Sequence, residues 1–118
     1  MISTATVTFL DANARVYAEV SRNVALGLMG RMLLPENAGM LFDMKTDEDH
    51  GFYMKGVLIP LDMIFIDRVL SVVGIIPNAQ PGDETLRHID KPSRYVVEVN
   101  GGWCKRHGVT VGQKVAFA

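Results

Sequence analysis

One cysteine, Cys104, stands alone in 118 residues, which excludes a disulfide within the chain and sets the expectation of a reducing, cytoplasmic compartment. No apolar run approaches the roughly 20 residues that cross a bilayer. The opening residues Met1-Ile2-Ser3-Thr4-Ala5-Thr6 have neither a basic n-region nor an apolar h-region, so they do not read as a secretory signal. Charge of one sign is missing too. A net charge of −1 gives no clustered positive field for phosphates, so nucleic acid is not the expected partner. Anionic membrane surfaces are disfavoured for the same reason. The chain lacks G-x-x-x-x-G-K-S/T, G-x-S-x-G, H-E-x-x-H and paired C-x-x-C, and with them the main nucleotide, hydrolase and zinc signatures.

What is present is ordinary globular composition, 48% hydrophobic and 21% charged. The length suits a single domain over 1–118 that folds without disulfide or structural metal. Thr4–Phe9 alternates with period two, as a half-buried strand does. Asp11–Ala14 reads as a hairpin turn into a second strand, Arg15–Val20. Ser21 sits where an N-cap belongs, and Ala25, Leu28, Met29 and Met32 follow at i, i+3, i+4, i+7, which predicts a helix ended by Pro35. Gly27 and Gly30 weaken that helix by about 1 kcal/mol each.

Gly39–Phe42 and Phe52–Met54 read as short strands around an acidic loop that holds Asp43, Asp47, Glu48 and Asp49. Leu61–Ile66 and Val69–Ile76 are apolar on both parities, the pattern of central strands covered on both faces. Pro77–Lys91 has no periodicity and reads as a long loop, a frequent carrier of function. Arg94–Val99 is a further strand. Asn100 is placed to cap a short helix through Trp103 and His107, with Gly108 as its stop. A last short strand follows Gly112. The expected fold is mainly β, a compact, mostly antiparallel, barrel-like sheet of about eight strands. One helix follows strand 2 and a helical turn lies near the C-terminus.

The run Met54-Lys55-Gly56-Val57-Leu58-Ile59-Pro60-Leu61-Asp62-Met63-Ile64-Phe65-Ile66-Asp67 sets a cation, a proline and acids in apolar surroundings, where polar side chains need partners. A turn at Val57–Pro60 would bring Lys55 and Asp62 within ion-pair reach, as a ligand site or as a structural pair. Asp62 alone could instead hold backbone N–H groups near Pro60. Arg31 could bridge to Glu98 or Asp62, or hold a ligand anion, because its fork matches a carboxylate.

Other groups read more plainly. The methionines Met29, Met32, Met40, Met44, Met54 and Met63 lack the clustering of a soft-metal site and read as core filler. Cys104 and His107, at i and i+3, lack an orienting acid for nucleophilic work. Asp47, Glu48, Asp49 and His50 are contiguous and lack the alternating spacing of a calcium loop. No metal and no cofactor are expected.

Several blocks occur in order: Gly27-Leu28-Met29-x-Arg31, Leu34, Gly39-Met40-Leu41-Phe42, Met54-Lys55, Leu58-Ile59-Pro60-Leu61-Asp62-x-Ile64-Phe65-Ile66-Asp67, and Tyr95-Val96-Val97-Glu98-Val99-Asn100-x-Gly102. This set resembles the DUF192 family of small prokaryotic proteins of unknown function, across about Thr6 to Phe117. The resemblance implies a compact β-rich domain and supplies no chemistry. Tyr53 stands where the family commonly has tryptophan, Gly56-Val57 where it usually has a polar pair, and family members often carry an export leader.

The expectation is therefore a non-enzymatic binding module for a small polar ligand, such as a saccharide, or for a partner peptide. Its candidate site residues are Arg31, Lys55, Asp62 and Glu98, near the Pro77–Lys91 loop. One alternative is a hydrolase or lyase with Asp62 as base and Lys55 or Arg31 stabilising negative charge. Another is a scaffold or oligomer subunit, for which an exposed Trp103 or an unpaired edge strand would be the sign.

Overall fold

A computed structural model describes residues 3–118. Among these, seven strands form one sheet: β1 (Thr4–Phe9), β2 (Ala14–Val20), β3 (Ala38–Glu48), β4 (Leu61–Ile66), β5 (Val72–Ala79), β6 (Ser93–Asn100) and β7 (Val115–Phe117). Their order is β5-β4-β6-β3-β2-β1-β7. All pairings are antiparallel except β2 with β3. The sheet curls until its two ends meet. Val72 N–H donates to Gln113 C=O at 2.9 Å and Val115 N–H to Leu70 C=O at 2.9 Å, beside a bridge between Ser71 and Lys114. The mainly β, mostly antiparallel, barrel-like reading is thus what the chain adopts. No helix among the described residues is long and apolar enough to cross a membrane.

Alternation divides the core by face. Val7, Phe9, Val16, Leu41, Ile64, Ile66, Val97 and Val99 point into the curl, with Trp103 and Cys104 closing its end. Met40, Phe42, Leu61, Met63, Phe65 and Val96 point to the outer face, where Leu28, Phe52, Met54 and Val57 cover them from loops. Strand β4 is buried at all six positions for this reason. Its neighbour β5 is an end strand, not central, and starts three residues later than expected, after a turn in which Asp67 Oδ1 accepts from Val69 and Ser71 N–H.

Three expectations need correcting. The helix after β2 is absent. The crossover that the parallel β2–β3 pair demands is a chain of turns over Val24–Gly30. Asn23 C=O accepts from both Leu26 and Gly27 N–H, one helical turn's worth, before Gly27 (φ 50°) and Gly30 (φ 82°) turn left-handed and end it. Asn23, not Ser21, supplies the side-chain cap, to Ala25 N–H at 3.1 Å. The eighth strand, Phe52–Met54, reduces to one bridge between Phe52 and Arg87. The acidic segment after Phe42 continues β3 as far as Glu48, through a register shift after Asp43.

The short helix α1 (Trp103–His107) is present with Gly108 as its left-handed stop. Gly102 occupies its N-cap position. Asn100 instead donates from its side chain to Leu34 and Pro35 C=O at 2.8 and 3.2 Å, tying the crossover to β6.

Candidate functional site

Glu98 lies on β6 in register with Met40 of β3 and Met63 of β4, on the outer face. Its apolar row leaves it only 4% exposed. No protein group among the described residues hydrogen-bonds or pairs with it, and burial alone pushes its carboxyl up to about 7. This is the reverse of the usual rule that a buried charge is paired.

The side chain is not simply sealed in, because it lines a cavity of about 220 Å³ between the Val24–Met29 turns, the Gly51–Val57 segment and Leu86. Leu28, Phe42, Phe52 and Val57 make its apolar walls, and Lys55 and Tyr53 stand at its lip. Gly27 keeps the carboxyl uncovered. A Cβ there would stand 3.7 Å from Glu98 Oε1 and 3.3 Å from Phe42 Cζ. Lys55 is exposed and forms no ion pair among the described residues.

Arg31 lines an adjoining depression of about 210 Å³ with Glu19 and Arg22, behind the Leu26–Gly27 turn. It pairs with Glu19, and not with Glu98 or Asp62. Glu19 shares Glu98's row two strands away, with Met40 between them.

Asp62 serves elsewhere. It pairs with Val99, one residue out of phase with Glu98, so it faces the opposite side of the sheet from Lys55's cavity. There Oδ1 accepts from Asn78 N–H at 2.8 Å and Gly102 N–H at 2.9 Å, and Oδ2 from Cys104 N–H at 2.9 Å. The carboxylate ties β4 to β5 and fixes the start of α1. Of the four candidates, the structure brings Lys55 and Glu98 to one cavity, sets Arg31 next door, and commits Asp62 to the fold.

The Cys104 thiol is buried, and burial together with the Asp62 carboxylate pushes it far above its usual range, away from a nucleophilic thiolate. His107 is held off it, stacked on Trp103 at 4.4 Å and bonded to Glu36 at 3.1 Å. Asp49, His88 and Asp90 lie close enough to hold one cation. All three are exposed, and the His88 ring already contacts both carboxylates at 3.0 Å. His50 is not among them; it contacts Thr46 C=O at 2.9 Å.

The sequence did not point to Leu26, Phe52 or Leu86 as cavity residues. The adjacency of Tyr53 to Lys55 and the Gly27-Leu28-Met29 block were the available signals.

A single curled sheet with a buried carboxyl under a loop-built cavity defines a small β domain with a candidate ligand site. The DUF192 family, described as Uncharacterized ACR, matches residues 4–117, and the chain belongs to it. A crystal structure of a protein of unknown function from Novosphingobium aromaticivorans is similar at a TM-score of 0.88 and 35% identity, covering 98% of this chain and 84% of that one. A second, from Sinorhizobium meliloti and named as a candidate transcription regulator, is similar at a TM-score of 0.88 and 28% identity, covering 99% and 94%. No curated protein matches the chain.

Proposed function

We propose that this domain is a non-enzymatic binding module whose site is the cavity over Glu98. The ligand is a small polar molecule, or one side chain of a partner peptide, that offers a polar group to Glu98 and an apolar body to Leu28, Phe42 and Phe52. One observation carries this reading: a buried carboxyl with no protein partner opens into an apolar cavity. The carboxyl oxygens keep some exposure to the cavity, since neither is among the sealed, partnerless polar atoms of the described residues, so a ligand group that enters there can reach them. At about 220 Å³ the cavity is smaller than the roughly 300–1,000 Å³ of drug-sized sites, so a ring or a single side chain is the fitting scale.

Catalysis by Asp62 has no support in the geometry, since three backbone N–H groups already occupy its oxygens. A scaffold role loses one of its two signs, because Trp103 is fully buried. The Sinorhizobium protein's name supplies no reading here, because a net charge of −1 offers little to a phosphate backbone. The test is a fragment and glycan screen by two-dimensional NMR. Ligands should shift the amides of Gly27, Phe52, Lys55 and Glu98, and Glu98→Gln should weaken them. A screen in which nothing moves those amides would sink the proposal.

A further inference from the structure

We infer that the occupant of this cavity is the basic side chain of a partner polypeptide, a lysine whose ammonium meets the Glu98 carboxylate and whose stem lies along Leu28, Phe42 and Phe52. The inference rests on the binding reading above and narrows it to one chemistry.

Among the described residues Glu98 is the only acid that lines the cavity. An ionised carboxylate accepts and cannot donate, and its strongest partner is a cationic donor, whose hydrogen bonds are about twice as strong as neutral ones. The walls set the second requirement, a stem of methylene groups between the charge and the outside. Lysine meets both, since it buries its stem readily while its nitrogen seeks a polar contact. The volume suits it, because a cavity of about 150 Å³ already takes a benzene ring and this one has about 220 Å³.

The rim argues for a polypeptide over a free amine. Val24, Leu26, Tyr53 and Leu86 all border the same opening and are 42%, 55%, 41% and 62% exposed. Exposed apolar side chains gathered round one opening suit a protein partner that covers them, whereas a small amine would leave them wet. Lys55, exposed at the lip of the same cavity, opposes a cation that enters alone. It disfavours a ligand that is positive at both ends, and it favours an acidic residue beside the partner's lysine.

Proton linkage makes the inference sharp. A cation requires the ionised form of Glu98, whose carboxyl titrates at about 7. Lys55 and Tyr53 face the cavity from the Gly51–Val57 segment, and no histidine or aspartate lines it. Met40 and Met63 flank Glu98 on the neighbouring strands, and Glu19 with Arg31 lies two strands off. Binding of a lysine peptide should therefore tighten by about tenfold from pH 6 to pH 8.

The experiment titrates the whole protein with a blocked Asp-Lys-Leu peptide, its ε-acetylated form, its norleucine analogue and n-butylamine, followed by NMR at both pH values. The lysine peptide should bind at least tenfold more tightly than the acetylated and norleucine peptides, and more tightly than butylamine. Glu98→Gln, checked for folding in the same spectra, should erase the preference; the pH series on the unaltered protein gives an independent reading. If a neutral peptide binds in the cavity as well as the lysine peptide, or affinity falls as pH rises, the ammonium assignment is wrong and the cavity remains a ligand site. Equal binding of butylamine overturns the polypeptide source. If none of the probes moves the cavity amides, and the broader screen is also silent, both readings fall together.

Discussion

Two acids in this domain are buried almost equally, yet their surroundings are opposite. Among the described residues Asp62 has three backbone donors and Glu98 has none. Asp62→Ala removes charge-assisted bonds that hold β4, β5 and α1 together, and should lower stability by about 3 kcal/mol or more. Urea unfolding followed by the emission of the buried Trp103 measures this. Glu98→Gln should act the other way, and with pH. In the unfolded chain the carboxyl loses its proton near its usual 4.5, whereas the folded protein holds it to about 7. The native state therefore binds the extra proton, and stability falls as pH rises through that window. The loss is on the order of 3 kcal/mol above pH 7. The glutamine variant should lack this slope and equal or exceed the parent at pH 8, a comparison that urea curves at pH 4 and pH 8 provide. Both acids were legible as candidates because each interrupts an apolar strand. That Asp62 holds backbone N–H groups was one of the readings open in the sequence; that Glu98 faces the other way was not, since it follows from a one-residue difference in phase across paired strands, and pairing is set by distant sequence.

At the scale of elements, local patterns worked where one face decided the structure. Thr4–Phe9 alternates and is a strand over those very residues, and Leu61–Ile66, apolar on both parities, is the doubly covered β4. They failed at the crossover. Ala25, Leu28, Met29 and Met32 keep helical spacing, but Leu28 is the one that is fully buried while Met32 is exposed. Two glycines with positive φ let the chain turn back over the outer face, and this places Leu26 and Leu28 around Glu98. Gly27→Ala tests that geometry. Its φ of 50° strains any Cβ, at about 1–2 kcal/mol, and the methyl group would stand over the Glu98 carboxyl. Ligand affinity should drop beyond what the stability change explains. Gly30→Ala is the control. Its φ is 82° but no atom lies within 4 Å of its Cβ, so it should lose stability and leave binding alone. Comparing urea curves with NMR titrations of the two variants separates strain from occlusion.

At the scale of the molecule, the covered curl and the loop-covered outer face do different work. The inner face, with Trp103 packed 5.8 Å from Phe9, is mainly apolar and holds the fold. The outer face carries the unpaired carboxyl and the exposed collar. That division was not visible in the sequence, because of the two segments that build the cavity, Val24–Met29 carries a helical spacing that the fold does not follow and Gly51–Val57 carries no periodic signal. The pairing of β1 also has a consequence for how the protein is made. Its hairpin partner β2 follows at once, but its other neighbour, β7, comes from Val115–Phe117. During synthesis β1 therefore waits, one edge bare, until Val115–Phe117 has left the ribosome. The barrel closes only then, and until it does the nascent domain offers a naked strand to chaperones and to its own copies.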